Sequence, residues 1–127
     1  MGTAQSSITV GWITMLGGVV SGSLIGLFFH RAEWLGGYAT FRRRMVRLAH
    51  ISFFGIGFVN VLYGVTVATI PMRDDLARTG AMALLVAAIA MPANCLLTAW
   101  RERFRLLFFV PVIAVAVGVL SVLAGRR

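Results

Sequence analysis

Four long apolar runs dominate the chain, at residues 8–29, 48–70, 81–100 and 106–124, and none contains an Asp, Glu, Lys or Arg. Crossing a hydrocarbon core of about 30 Å takes roughly 20 residues of helix. Each run is long enough. In lipid the backbone must satisfy its own hydrogen bonds, and these runs are continuous rather than alternating. They therefore read as helices and not as strands of a membrane barrel. The pattern predicts an all-α membrane protein: a single domain over residues 1–127, built as a four-helix transmembrane bundle. Nothing basic precedes the first run, and its apolar stretch is longer than the core of a secretory signal. It is expected to persist in the mature protein.

Short breaks at 71–80 and 101–105 make the second, third and fourth spans antiparallel neighbours. The break at 30–47 is longer, and Gly36-Gly37 divides it. After the pair, Thr40 is placed to cap a helix that runs directly into span two. In that helix Phe41, Met45 and Leu48 fall at helical spacing and are expected to face the membrane. Arg42, Arg43 and Arg44 would then meet headgroups, with Arg47 one turn on.

Composition narrows the class. Hydrophobic residues make up 59% of the 127 and charged residues 13%, about half the soluble norm of roughly 25%. A small soluble domain leaves too much surface wet to hide this much apolar area. An ordinary soluble enzyme, a disordered tail and a disulfide scaffold are excluded. The single Cys95 lies inside an apolar run and can form no internal disulfide.

Charge supplies the orientation. The formal net charge is +8, and every one of the 12 basic residues is Arg, opposed by Glu33, Asp74, Asp75 and Glu102. The arginines sit in the breaks between apolar runs, so anionic lipid headgroups suit them better than nucleic acid. Breaks 30–47 and 101–105 hold eight of them, which makes these the cytoplasmic side by the positive-inside rule. Both termini then lie on the non-cytoplasmic side, and a bacterial inner membrane is the expected location. Arg42, Arg43, Arg44 and Arg47 are the expected docking residues for lipid or for an acidic partner.

Candidate chemistry inside the spans is sparse. Gly18, Gly22 and Gly26 form a small-xxx-small stripe that lets another backbone approach. It suits packing within the chain or against another subunit. In span two, His50, Gly57 and Gly64 recur every seven residues, and Asn60 shares their side of the helix. Polar groups at depth turn inward to find a partner. Span three offers Asn94, Cys95 and Thr98, so an Asn60–Asn94 hydrogen bond is expected. His30 and His50 flank the 30–47 break and belong at one depth. No cofactor is expected; in the alternative they would hold one b-type haem there, or His50 alone would contact a quinone headgroup.

No acid or Cys joins the histidines at metal-ligand spacing. No nucleophile motif, phosphate loop or dinucleotide fingerprint occurs. No carboxylate lies within a span, which argues against a proton-coupled transporter. The expected function is a small non-catalytic membrane subunit, or an accessory or assembly factor of a larger complex, with respiratory or energy-converting complexes as one such setting. Its partners would be lipids and other membrane subunits or further copies of itself. The alternatives are a haem b- or quinone-binding protein using His50 and His30, or a small homo-oligomeric channel or transporter.

Overall fold

A computed structural model of the chain describes residues 2–126. Four helices carry the fold: α1 (Thr3–Phe29), α2 (Phe41–Thr69), α3 (Asp74–Trp100) and α4 (Phe109–Gly125). Each is long and apolar enough to cross a membrane, α4 together with the 3-10 segment Glu102–Phe108 that leads into it. Among the described residues there is no strand. One isolated bridge pairs Met72 with Arg126, and the Arg73 N–H donates to the Gly125 carbonyl at 3.0 Å. These bonds tie the α2–α3 turn to the end of α4.

Helices α2 and α3 begin about two turns ahead of the apolar runs that predict them. Thr40 is the N-cap of α2, its hydroxyl accepting from the Arg43 N–H at 3.4 Å. In α3, Asp74 and Asp75 occupy the first turn, where the helix dipole favours negative charge. Span four departs from expectation in the other direction, because its first turns are 3-10 rather than α. Pro111 supplies a reason: it donates no backbone hydrogen bond and crowds the residue before it. Ahead of α2 the chain reverses through Leu35, Gly36 and Gly37, at φ 56, 87 and 115°. Glycine takes these left-handed values freely.

Helices α2 and α3 form an antiparallel central pair. Most of the packing of α1 is on α2, with a thinner edge against α3, and α4 packs on α3. The bundle is open, since α1 and α4 share no substantial interface. Most of its buried positions are small or polar, with Met15, Met45, Ile56, Tyr63 and Leu84 the larger exceptions. On α4 they are Pro111, Ala114, Gly118, Ser121 and Gly125, while Val112, Ile113, Val119, Leu120 and Leu123 point outward. On α3, Ala77, Gly80, Ala87, Ala88, Asn94 and Thr98 are buried. Large apolar side chains outside and small or polar ones inside invert the soluble arrangement. Met45 corrects one expectation. It is buried with Ala49, Cys95 and Ala99 instead of facing the membrane, while Phe41 and Leu48 are exposed.

Candidate functional site

The α1–α2 interface is built on a shared seven-residue register. Gly64 stands against Ala4 and Ile8, Gly57 against Gly11 and Met15, and His50 against Gly22. A Cβ on Gly57 would lie 2.5 Å from Met15 Cγ and 2.9 Å from the Gly11 carbonyl. The backbones therefore meet directly, and dispersion between close surfaces holds helices that lipid does not push together. Gly18 belongs to this contact too, facing the Phe54 ring. Gly26 does not, since a Cβ there would meet nothing within 4 Å. The stripe thus packs internally over its first two members only.

One more step of the same register, back from His50, falls on Arg43. This residue corrects the docking expectation, because it is 1% exposed and turned into the protein. Its guanidinium donates to the Phe29 carbonyl, to Arg31 O at 3.2 Å and to Ala32 O at 3.5 Å. These carbonyls belong to the end of α1 and the turn after it, where the helix leaves acceptors unsatisfied. The same group lies 3.9 Å from the Tyr38 ring centroid, 4.6 Å from Phe29 and 5.3 Å from Trp34. Aromatic faces attract a cation that water does not reach. Arg43 thus fastens the 30–40 segment over the bundle end. Arg42 works similarly at α3, its Nε donating to the Ala99 carbonyl at 3.1 Å. Arg44 and Arg47 are exposed, as the docking expectation requires.

The two histidines are not brought together. His50 stands against Ser21 and Gly22 of α1. His30 caps the end of that helix eight residues further on, a rise of about 12 Å. Their expected common depth is wrong because α2 starts early and carries His50 well inside the bundle. Ser21 Oγ donates to the Gly18 carbonyl at 3.0 Å and contacts His50 Nδ1 at 3.1 Å. In the neutral tautomer that donates from Nδ1 to this hydroxyl, Nε2 is free to accept. The His50 ring also meets Phe54 edge to face. Among the described residues no group of three or more His, Cys, Asp or Glu could hold a metal ion.

The expected Asn60–Asn94 bond is absent. Asn60 lies opposite Leu84, and its Nδ2 donates to Ile56 O at 3.0 Å and Leu84 O at 3.3 Å. Asn94 sits ten residues further along α3, about 15 Å away. With its amide oriented to satisfy both groups, it donates to Phe104 O and accepts from Phe108 N–H, each at 2.9 Å. Asn94 thus clamps the 3-10 segment onto α3. Sequence reasoning also missed Tyr63, whose hydroxyl donates to Ala77 O at 2.8 Å and lies 3.2 Å from Ser121 Oγ. Gly80 makes room for this pair, for a Cβ there would collide with both oxygens. The signal was available: Tyr63 and Ser121 are polar residues near the C-terminal ends of spans two and four, which run in the same direction.

Between α1, α2 and α3 lies an apolar groove of about 620 Å³. Val10, Ile13, Thr14 and Gly17 of α1 form one wall, Phe53 of α2 contributes to it, and Ile89, Pro92, Ala93 and Leu96 of α3 form the other. Thr14 spends its hydroxyl on the Val10 carbonyl at 2.7 Å, so it offers the groove no free donor. The site is suited to van der Waals contact rather than to bond-making chemistry. No known protein family, curated protein or solved structure matches the chain.

Proposed function

We propose that this chain is a small non-catalytic subunit or accessory factor of a larger membrane complex, and that the α1–α3 groove receives an apolar helix from a partner subunit. The groove carries this reading. It is lined by α1, α2 and α3 with no residue of α4, and small residues, Gly17 and Ala93, sit in its walls. Small residues admit close approach of a second backbone in lipid. A respiratory or other energy-converting assembly in a bacterial inner membrane is the proposed setting, with the Arg-rich breaks in the cytoplasm and both termini opposite.

The test is site-specific photocrosslinking in the native membrane. A crosslinking residue at Ile13 or Ile89, in the groove, is expected to capture one defined membrane protein. The same residue at Leu120, on the outer face of α4, is expected to capture lipid or nothing. Equal capture at all three positions would sink the proposal. Adducts only between copies of this chain would replace it with a homo-oligomer, the arrangement a small channel would use.

A second reading rests on His50, whose Nε2 is free to accept in the tautomer that donates from Nδ1 to Ser21. It makes the chain a haem- or quinone-binding protein with one histidine contact. A reduced-minus-oxidised absorption spectrum of the gently extracted protein tests the haem form. A Soret band lost in His50→Ala favours it, and a colourless preparation removes it.

A further inference from the structure

One end of the bundle gathers eight arginines from three separate segments. Arg31 follows α1, Arg42, Arg43, Arg44 and Arg47 lie on the first turns of α2, and Arg101, Arg103 and Arg105 follow α3. The Arg42–Ala99 bond holds the 30–40 turn and the 101–108 segment in one rim. Arg43 is withdrawn into its aromatic cage, while the other seven are exposed. Only Glu33 and Glu102 oppose them, and both are exposed. Among the described residues the one salt bridge is Arg73–Asp75, at the opposite end. The rim cations therefore face outward unpaired.

Their neighbours decide what kind of anion suits them. Trp100 is 79% exposed, and Tyr38, Leu48, Leu106 and Leu107 are exposed in the same belt. A water-soluble acidic partner meets the charges but leaves this apolar ring wet. A phospholipid presents a phosphate at one level and an acyl chain just below it. Arg103 lies against the Phe104 ring and Arg31 against Phe28, each 5.6 Å from the centroid. Stacked guanidinium groups keep their N–H edges free for phosphate oxygens. We propose that this rim binds anionic phospholipids, with Arg44, Arg47, Arg103 and Arg105 contacting the phosphates and Trp100 seated at the acyl boundary. The proposal rests on the four-span reading and is independent of any partner subunit.

The full chain would be reconstituted into vesicles of equal phosphatidylglycerol and phosphatidylcholine. Trace spin-labelled lipid of either headgroup reports which lipid is held at the protein surface. Phosphatidylglycerol is expected to be enriched there about threefold or more at low salt. The enrichment should fall toward unity at high salt in the unaltered protein, and at low salt in the combined variant Arg44→Gln, Arg47→Gln, Arg103→Gln, Arg105→Gln. Substituting Arg73→Gln and Arg78→Gln at the other end should leave it intact. Equal occupancy of the two lipids in the unaltered protein overturns the proposal and favours an acidic protein partner, as does an enrichment that the rim substitutions do not touch. Flotation of the same vesicles separates the two layers of argument. A chain that floats without lipid preference defeats the lipid site alone. A chain that does not float defeats the four-span reading and the lipid site together.

Discussion

Arg43 shows how far a single side chain can depart from its sequence neighbours. It stands in a run of three arginines, yet it alone is enclosed, because the helical turn points it at the end of α1 while Arg42 and Arg44 point elsewhere. Removing it leaves carbonyls at that helix end without their donor and three rings without their cation. Hydrogen bonds to a charged group contribute roughly 1.5–3 kcal/mol each when buried. Arg43→Ala is therefore expected to lower stability in detergent by about 2–4 kcal/mol, read as a drop in the thermal unfolding midpoint. Arg44→Ala, which breaks no bond seen in the structure, should change it by less than about 0.5 kcal/mol. Outside the spans, Asp75 accepts from Arg73 at 2.7 and 3.3 Å. This bond holds its carboxyl below the usual 3.8. A lowered carboxyl favours the folded state above the unfolded pKa, and that advantage disappears as pH falls through the folded value. The expected signature is a carbon-detected titration of Asp75 midway below 3.8, returning toward it in Arg73→Gln.

At the scale of elements, the α1–α2 pair depends on where glycine faces a backbone and not on how many glycines there are. Gly57 faces Met15 and the Gly11 carbonyl, whereas Gly26 and Gly55 face open space. Gly57→Val should therefore force the helices apart and cost on the order of 2 kcal/mol or more by overpacking. Gly26→Val and Gly55→Val should stay within about 0.5 kcal/mol. Unfolding in mixed micelles measures all three, and equal losses would refute the register. Much of this interface was legible. The spacing of His50, Gly57 and Gly64 marks a close-packing face of α2, although the expected partner was span three and the structure sets α1 there; extending the spacing seven residues back reaches Arg43. Depth was less legible. Asn60 and Asn94 look like natural partners on composition, but partnership in an antiparallel pair requires matching heights. That height depends on where α3 begins, which Asp74 and Asp75 set ahead of the apolar run. The 3-10 lead-in to α4 was illegible for another reason. It depends on the tertiary clamp from Asn94 as well as on Pro111, and only the proline is a local signal.

The whole molecule is polarised from end to end. The rim end carries eight arginines against two glutamates, and among the described residues the other end carries Arg73, Arg78 and Arg126 against Asp74 and Asp75. Translocating a short arginine-rich connection is disfavoured, which is why the proposed orientation puts the rim in the cytoplasm. The arrangement of helices adds a constraint. The Arg42–Ala99 bond places the α1–α2 and α3–α4 connections at the same end, so they must share one side of the membrane. Thiol labelling tests both points together. Cys95 is fully buried, so a Cys95→Ala background removes the native thiol with little exposed surface changed. Single reporters at Arg44→Cys and Arg103→Cys probe the rim, and reporters at Thr3→Cys and Arg78→Cys probe the opposite end. A membrane-impermeant maleimide added to intact cells should modify the Thr3 and Arg78 positions and reach the Arg44 and Arg103 positions only after permeabilisation. The reverse pattern would invert the orientation while keeping the fold. Labelling Arg44→Cys and Arg103→Cys from opposite sides would break the fold itself, since no four-span arrangement with the Arg42–Ala99 contact separates those two connections.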